Sequence, residues 1–156
     1  MRQRRCVYTC LMGNTEGLNE QPVAASSRMP FICFTDNPDL RSETWDVRTA
    51  PRLFSMDSVR SQRAVKILPY KYLPDFDASL YIDNSVILEQ APDALVKKRL
   101  SPSGFCLIEH SFRATVLDEF LEVAAAGLDD QSRIFEQLNH YTIDFPEVLQ
   151  EKPYWG

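Results

Sequence analysis

The chain has 156 residues, of which 44% are hydrophobic and 25% are charged, and its net charge at pH 7 is −5. This composition is typical of a folded globular protein and does not fit a disordered chain. An acidic chain has no overall attraction to a polyanion, so we expect no nucleic-acid partner. No apolar run approaches the roughly 20 residues that span a bilayer, so we expect no transmembrane segment and a cytoplasmic location.

Strand-like and helix-like segments alternate along the sequence. The β-rich segment from Arg5 to Leu11 precedes a polar loop, residues 13–28, whose length is typical of a functional loop. Further strands are predicted at 30–35, 45–49, 78–82 and 104–110. Helices are predicted at 57–68, 92–100, 116–124 and 134–141. The alternation predicts an α/β fold, a mostly parallel sheet with helices on both faces, in a single domain over residues 1–156.

The four cysteines stand singly in apolar runs. They are Cys6, Cys10, Cys33 and Cys106. The spacing lacks both the C-x-x-C pairs and the nearby histidines of a zinc site. We therefore expect four reduced core residues.

Polar residues follow three of the predicted strands: Thr35-Asp36-Asn37, Asp83-Asn84-Ser85 and Glu109-His110. Each group alone is explained by a turn, because Asp and Asn commonly punctuate chains between strands. A carboxylate inside the apolar run "LYIDNSVIL" nevertheless costs several kcal/mol unless it is paired or bound. Parallel strands bring such ends to one edge, where ligands of open α/β folds bind. We favour one shared site over three independent turns.

Positive charge is densest on the predicted helix before the second polar group. Arg60, Arg63 and Lys66 advance by three residues and lie along one side of that helix. A solvated helix face explains this pattern when it is considered alone. Beside an acidic strand end, the same cations are suited to a diphosphate that a divalent ion bridges to the carboxylate. That is the chemistry of a nucleotide-sugar site.

The ordered motifs "VYTCLMGN", "ICFTDN", "RAVKILPYKYLPDFDASLYIDNS" and "HSFR" resemble a GT-A-type glycosyltransferase-like family, formerly described only as a domain of unknown function, with bacterial polysaccharide-associated and plant Golgi members. The likeness covers about residues 6–146, and 63–85 is its most specific part. It implies a Rossmann-like sheet and transfer of a hexose from a nucleoside-diphosphate sugar, UDP-linked, to a glycan or small acceptor. Because GT-A domains usually exceed 200 residues, we expect the C-terminal acceptor-side segment to be missing.

The resemblance also implies roles for single residues. Tyr8, Thr9 and Gly13 would border the base and ribose, with Asp36 nearby, and His110 and Arg113 would lie beside the donor sugar or its phosphates. With the cationic helix, the expected donor-binding residues are Tyr8, Thr9, Gly13, Asp36, Arg60, Arg63, Lys66, Asp83, Asn84, His110 and Arg113.

Asp83-Asn84-Ser85 would stand where the family's D-x-D motif holds Mn²⁺ or Mg²⁺ on the diphosphate. Asp83 and Ser85 are then the expected metal ligands, although serine contributes no negative charge, so we expect weak metal affinity or no metal. Glu109 is the candidate general base. The open alternatives are a structural hydrogen bond for His110 and, for the whole chain, a catalytically inactive nucleotide-binding or interaction module.

Overall fold

A computed structural model describes residues 3–13, 16–99 and 104–154. The chain divides into two compact units, Met1–Arg99 and Leu100–Gly156. The single domain expected from the sequence therefore stays a prediction. No helix within the described ranges is long and apolar enough to cross a membrane.

The first unit contains one sheet of four parallel strands. They are β1 (Arg5–Leu11), β2 (Phe31–Thr35), β3 (Asp46–Thr49) and β4 (Ala78–Tyr81). Their order is β3-β2-β1-β4, and all three pairings are parallel. The carboxyl ends of the strands therefore lie at one edge. This arrangement confirms the predicted α/β fold with a parallel, Rossmann-like sheet.

Helices of the first unit follow the signals read from the sequence. They are α1 (Ser58–Ile67), α2 (Pro69–Tyr72) and α3 (Asp93–Arg99), with a 3-10 helix at Pro22–Ser26. Helix α1 begins where the Asp57 side chain accepts a hydrogen bond from the Arg60 N–H at 2.8 Å. It ends before Pro69, which has no N–H to continue the helix.

The core of the first unit surrounds β1. Cys6, Tyr8 and Cys10 share one face of this strand and cluster with Val65 of α1. Val7, Thr9 and Leu11 alternate with them, so they point to the opposite face, and they are buried as well. A central parallel strand covered on both faces needs an almost continuous apolar run, which explains the sequence "CVYTCL".

Three of the four cysteines occupy the expected core positions. Cys6, Cys10 and Cys33 are free thiols and fully buried. Burial raises the pKa of each of these thiols to about 12, so they stay protonated and unreactive near neutral pH. Cys106 is exposed, so the prediction of a core position was wrong for this residue.

The second unit is built on two helices, α4 (Val116–Ala125) and α5 (Gln131–Asp144), followed by a 3-10 helix, Pro146–Gln150. Thr115 and Asp118 form a capping box at the start of α4, with reciprocal bonds of 3.1 and 3.0 Å. Gly127 follows the end of α4 with a φ of +63°, a left-handed conformation that glycine adopts without strain.

The strand predicted at residues 104–110 does not form. Within this segment, the only bridge in the described chain joins Glu109 to Tyr154. Phe105 and Ile108 are 70% and 75% exposed, so the apolar run is not part of a buried sheet. Glu109-His110 therefore does not end a strand of the sheet, and it belongs to the second unit.

Glu20 fastens the loop that leads into β3. Its carboxylate accepts hydrogen bonds from the Ser42 hydroxyl at 2.7 Å, from the Glu43 and Thr44 N–H groups at 3.1 and 3.0 Å, and from the Thr44 hydroxyl. Burial alone would raise the pKa of Glu20, but these donors together lower it below its ordinary value. The charged form of Glu20 is thus stabilised by folding.

We expect Glu20→Gln to lower the free energy of unfolding by about 1 kcal/mol near neutral pH. Because the folded-state pKa is the lower one, this contribution is fully present above the unfolded value of 4.5 and is lost as the pH falls through the folded value. Urea unfolding at neutral and strongly acidic pH measures it. The adjacent exposed Glu43→Gln is the matched control. A loss in Glu20→Gln that stayed the same in acid would contradict this account.

Candidate functional site

An open cleft lies where the strand order of the first unit reverses. From β1 the chain continues to β2 and β3 on one side, whereas β4 returns to the other side. In open α/β sheets such a switch point leaves a crevice at the carboxyl ends of the strands, and ligands bind there. The cleft here has a volume of about 530 Å³ and is lined by Glu16, Gly17, Asn19, Gln62, Asp83, Asn84 and Ser85.

A side chamber of about 190 Å³ adjoins the cleft, since the two share Glu16, Gln62 and Asp83. Its remaining lining residues are Val59, Arg63, Lys66 and Tyr81. Arg63 and Lys66 of α1 and Asp83 after β4 therefore line the same chamber.

Asp83 is held by two side chains at the same carboxylate oxygen. The Tyr81 hydroxyl donates a hydrogen bond to Asp83 Oδ1 at 2.9 Å, and the Lys66 ammonium lies 3.6 Å from this oxygen. Lys66 Nζ also lies 4.6 Å from the centre of the Tyr81 ring. Burial, and then the Asp83 charge, raise the pKa of Tyr81 above its usual range. The phenol therefore stays protonated and keeps donating.

Tyr8 supports this cluster from the core. Its hydroxyl donates to the Lys66 carbonyl oxygen at 2.8 Å, and its ring meets Tyr81 edge-on at 5.2 Å. The side chain is 2% exposed, and burial raises the pKa of its hydroxyl above the usual range. The role at the base and ribose that was expected for Tyr8 needs access to solvent; the structure instead places Tyr8 beneath Lys66.

The Asp83-Asn84-Ser85 group is both a turn and part of the cleft wall. The Val86 N–H donates to the Asp83 carbonyl at 2.9 Å, which closes the turn. Asn19 donates to the Asn84 carbonyl through its N–H at 3.2 Å and to the Ser85 carbonyl through its side chain at 2.9 Å. The two explanations weighed for this group are therefore compatible.

Asn84 faces the loop after β1. It is 6% exposed, and its side-chain amide donates to the Glu16 carboxylate at 2.9 Å and to the Gly17 carbonyl at 3.1 Å. Both amide hydrogens are used within the protein. Asn84 therefore joins the two walls of the cleft.

Gln21 holds the chain just beyond the turn. Its side-chain amide donates to the Val86 carbonyl at 2.6 Å and accepts from the Leu88 N–H at 3.0 Å. An adjacent strand would form the same pair of bonds to alternate residues. Gln21 is fully buried, so no water competes for these groups.

Gly13 and Asp36 form a separate cluster at the same sheet edge. The Gly13 N–H donates to Asp36 Oδ1 at 2.9 Å, and the Arg52 guanidinium pairs with the other oxygen. Burial alone would raise the pKa of Asp36, but these donors lower it below its ordinary value. With both oxygens engaged, Asp36 ties the loop after β1 to the loop after β2. Neither Gly13 nor Asp36 lines the cleft.

Two further predicted residues lie away from the cleft. Thr9 is fully buried in β1, and its hydroxyl has no hydrogen-bond partner among the described residues. Arg60 pairs with Asp57 at 3.3 Å at the start of α1 and does not line the cleft or the side chamber. Of the three cations on this side of α1, Arg63 and Lys66 therefore line the side chamber.

His110 and Arg113 belong to the second unit. Buried His110 accepts hydrogen bonds at Nδ1 from the Phe112 and Arg113 N–H groups, at 3.2 and 3.1 Å. The backbone N–H of His110 donates to the Pro153 carbonyl at 2.8 Å. His110 therefore forms structural hydrogen bonds within the "HSFR" turn, the alternative that was considered for this residue.

The Arg113 guanidinium is directed at helix α4. Its Nε lies 3.2 Å from a Glu119 oxygen, and a terminal nitrogen lies 3.5 Å from Glu122. His110 Nε2 lies 3.7 Å from the same Glu119 oxygen. Exposed Glu109 forms a backbone bridge with Tyr154. The donor-site roles of His110 and Arg113 and the base role of Glu109 stay predictions.

The donor set at Asp83 does not fit the expected divalent ion well. Asp83 Oδ1 already faces one ammonium and one hydroxyl donor, and Ser85 adds no charge. The Asn84 amide presents its N–H groups to Glu16 and Gly17. The described part of the chain contains no group of three or more His, Cys, Asp or Glu side chains placed to share an ion.

The sequence did not identify several residues that form this site. They are Glu16, Gly17, Asn19, Gln21, Gln62 and Tyr81. The length of the loop after β1 was the available signal, and it indicated function for the loop as a whole. No feature of the sequence distinguishes Asn19 or Gln21 from the other polar residues around them.

No family model, no curated protein and no solved structure matches this chain.

We expect Gln21→Ala to lower the free energy of unfolding by about 2 to 3 kcal/mol, because it removes two buried hydrogen bonds and leaves the Val86 and Leu88 backbone groups unpaired. Chemical denaturation measures the change. Gln90→Ala, in an exposed position of the same unit, is the matched control and should stay within about 0.5 kcal/mol of wild type. Equal stability of the two variants would contradict the conclusion that the Gln21 side chain clamps the backbone of residues 86–88.

Proposed function

We propose that this chain is a GT-A-like glycosyltransferase that moves a hexose from a nucleoside-diphosphate sugar to a glycan or small acceptor. One observation carries the proposal: Arg63, Lys66 and Asp83 surround connected cavities at the switch point of a parallel sheet. The volume of the cleft, about 530 Å³, lies within the range of small-molecule sites. The segment 63–85, which is the most specific part of the family resemblance, includes the second half of α1 and all of β4 and ends at the Asp83-Asn84-Ser85 turn.

The chemistry follows from the charges around the cleft. A departing nucleoside diphosphate accumulates negative charge as its bond to the sugar breaks. Cations that are already in place stabilise this charge without reorganising. Arg63 and Lys66 would supply that stabilisation from α1, and the amide and hydroxyl groups of Asn19, Gln62 and Ser85 would bind polar parts of the donor.

A nucleotide-binding or interaction module without transferase activity is the second candidate. It is favoured by the pairing of Asp83 with Lys66 and by serine at the third position of the triplet. A nucleotide-binding module would bind the nucleoside-diphosphate sugar but would leave the bond to the sugar intact, whereas an interaction module would not need the nucleotide. The enzyme and the nucleotide-binding module would therefore both bind the nucleotide, and only the enzyme would cleave the bond to the sugar.

We expect calorimetry to detect binding of UDP, GDP or a UDP-sugar, with and without Mn²⁺. Arg63→Gln should weaken that binding about tenfold, the scale of one charge-assisted phosphate contact. Arg60→Gln is the matched control, since Arg60 lies one turn away on α1 and, unlike Arg63, does not line the side chamber. Thermal melting of both variants verifies that they fold.

Hydrolysis or transfer of the bound donor then separates the candidates. Release of UDP or GDP from the corresponding nucleotide sugar supports the enzyme. Binding without release, across a panel of acceptors, supports the module. If no nucleotide binds under any condition, the cleft is not a donor site, the enzyme and the nucleotide-binding module are both wrong, and the interaction module is the candidate that stays.

A further inference from the structure

A lysine ammonium lies beside Asp83, the residue from which a bridging metal ion was expected to be held. Lys66 Nζ lies 3.6 Å from Asp83 Oδ1, and the Tyr81 hydroxyl donates to this oxygen at 2.9 Å. A divalent ion bound to the same carboxylate would be close to a fixed positive charge of like sign. Asp83 thus already has its counter-ion within the protein.

The position of Lys66 is fixed by more than this one contact. Its backbone carbonyl accepts the Tyr8 hydroxyl at 2.8 Å, within the last turn of α1. Its ammonium lies over the Tyr81 ring at 4.6 Å, and the side chain is 23% exposed. The charge is therefore held over the side chamber and remains accessible to a ligand.

Charge in the two connected cavities is balanced between cations and carboxylates. Among the described lining residues, Arg63 and Lys66 are the cations and Glu16 and Asp83 are the carboxylates. Both cations come from α1, three residues apart, so they lie on neighbouring turns of one side. Both cations line the side chamber, so a diphosphate that entered this chamber would be close to both.

Given the function proposed above, we propose that the cleft binds the diphosphate of its donor without a divalent ion. Lys66 supplies the positive charge that the metal would otherwise supply. Asp83 is then a positioning residue that aims the Lys66 ammonium, together with Tyr81. The D-x-D resemblance implies that Asp83 is a metal ligand, whereas this assignment makes it the partner of a lysine.

The two roles of Asp83 predict effects of opposite sign. If Asp83 were a metal ligand, Asp83→Asn would remove the metal-dependent part of diphosphate binding. As a positioning residue, Asp83 competes with the phosphates for Lys66 and repels them. Asp83→Asn keeps an acceptor oxygen for Tyr81 and Lys66 and removes the negative charge that repels the phosphates, so diphosphate affinity stays unchanged or rises.

The test is calorimetric titration of UDP and GDP into the full chain, in the presence of EDTA and, separately, of Mn²⁺ or Mg²⁺. We expect wild-type affinity to agree within about threefold in all three conditions, and Lys66→Met to weaken binding about tenfold or more. Met keeps the apolar stem of the side chain and removes its charge. Lys71→Met, an exposed lysine on α2, controls for the change in net charge.

The outcomes separate this inference from the proposed function. Binding that requires the metal and is lost in Asp83→Asn overturns metal independence and leaves the donor site standing. Absence of UDP and GDP binding in every condition overturns the donor site and, with it, this inference. The melting curve of Lys66→Met shows whether this variant folds. If it does not fold, the EDTA comparison on the wild type and the titration of Asp83→Asn still decide whether diphosphate binding requires a divalent ion.

Discussion

Parallel pairing on both sides of β1 is the constraint on which the rest of the first unit depends. With β2 on one side and β4 on the other, the loops after all three strands emerge at the same edge. The chain between β3 and β4 must also cross a face of the sheet, which places α1 against Tyr8 and Cys10. The meeting of the cationic side of α1 with Asp83 follows from this topology.

The strands and helix boundaries of the first unit were predictable because their signals are local. Asp57 caps α1, Pro69 stops it, and continuous apolar runs mark β1 and β2. The segment 104–110 has the same apolar character, yet it forms no strand. A strand requires a partner distant in sequence, and composition does not reveal whether one is available.

The candidate site was predictable in outline and not in its contacts. A cationic helix side next to an acidic strand end was expected, with a ligand between them, whereas the structure joins Lys66 directly to Asp83. Tyr8 and Asp36 were assigned to the ligand because of the family resemblance. Their bonds to Lys66, Gly13 and Arg52 depend on packing between loops and helix that no local pattern encodes.

The hydrogen bonds of the Gln21 side chain affect which residues beside the cleft can be substituted without loss of the turn. Gln21 grips the backbone of residues 86–88, so the path of that segment does not depend on what its side chains are. Val86 and Ile87 are 39% and 58% exposed and contribute little to the core. Substitution at these two positions can therefore change the polarity and shape of the surface beside Ser85 while the turn stays in place. The fold separates the part of this edge that must keep its geometry from the part that can diversify.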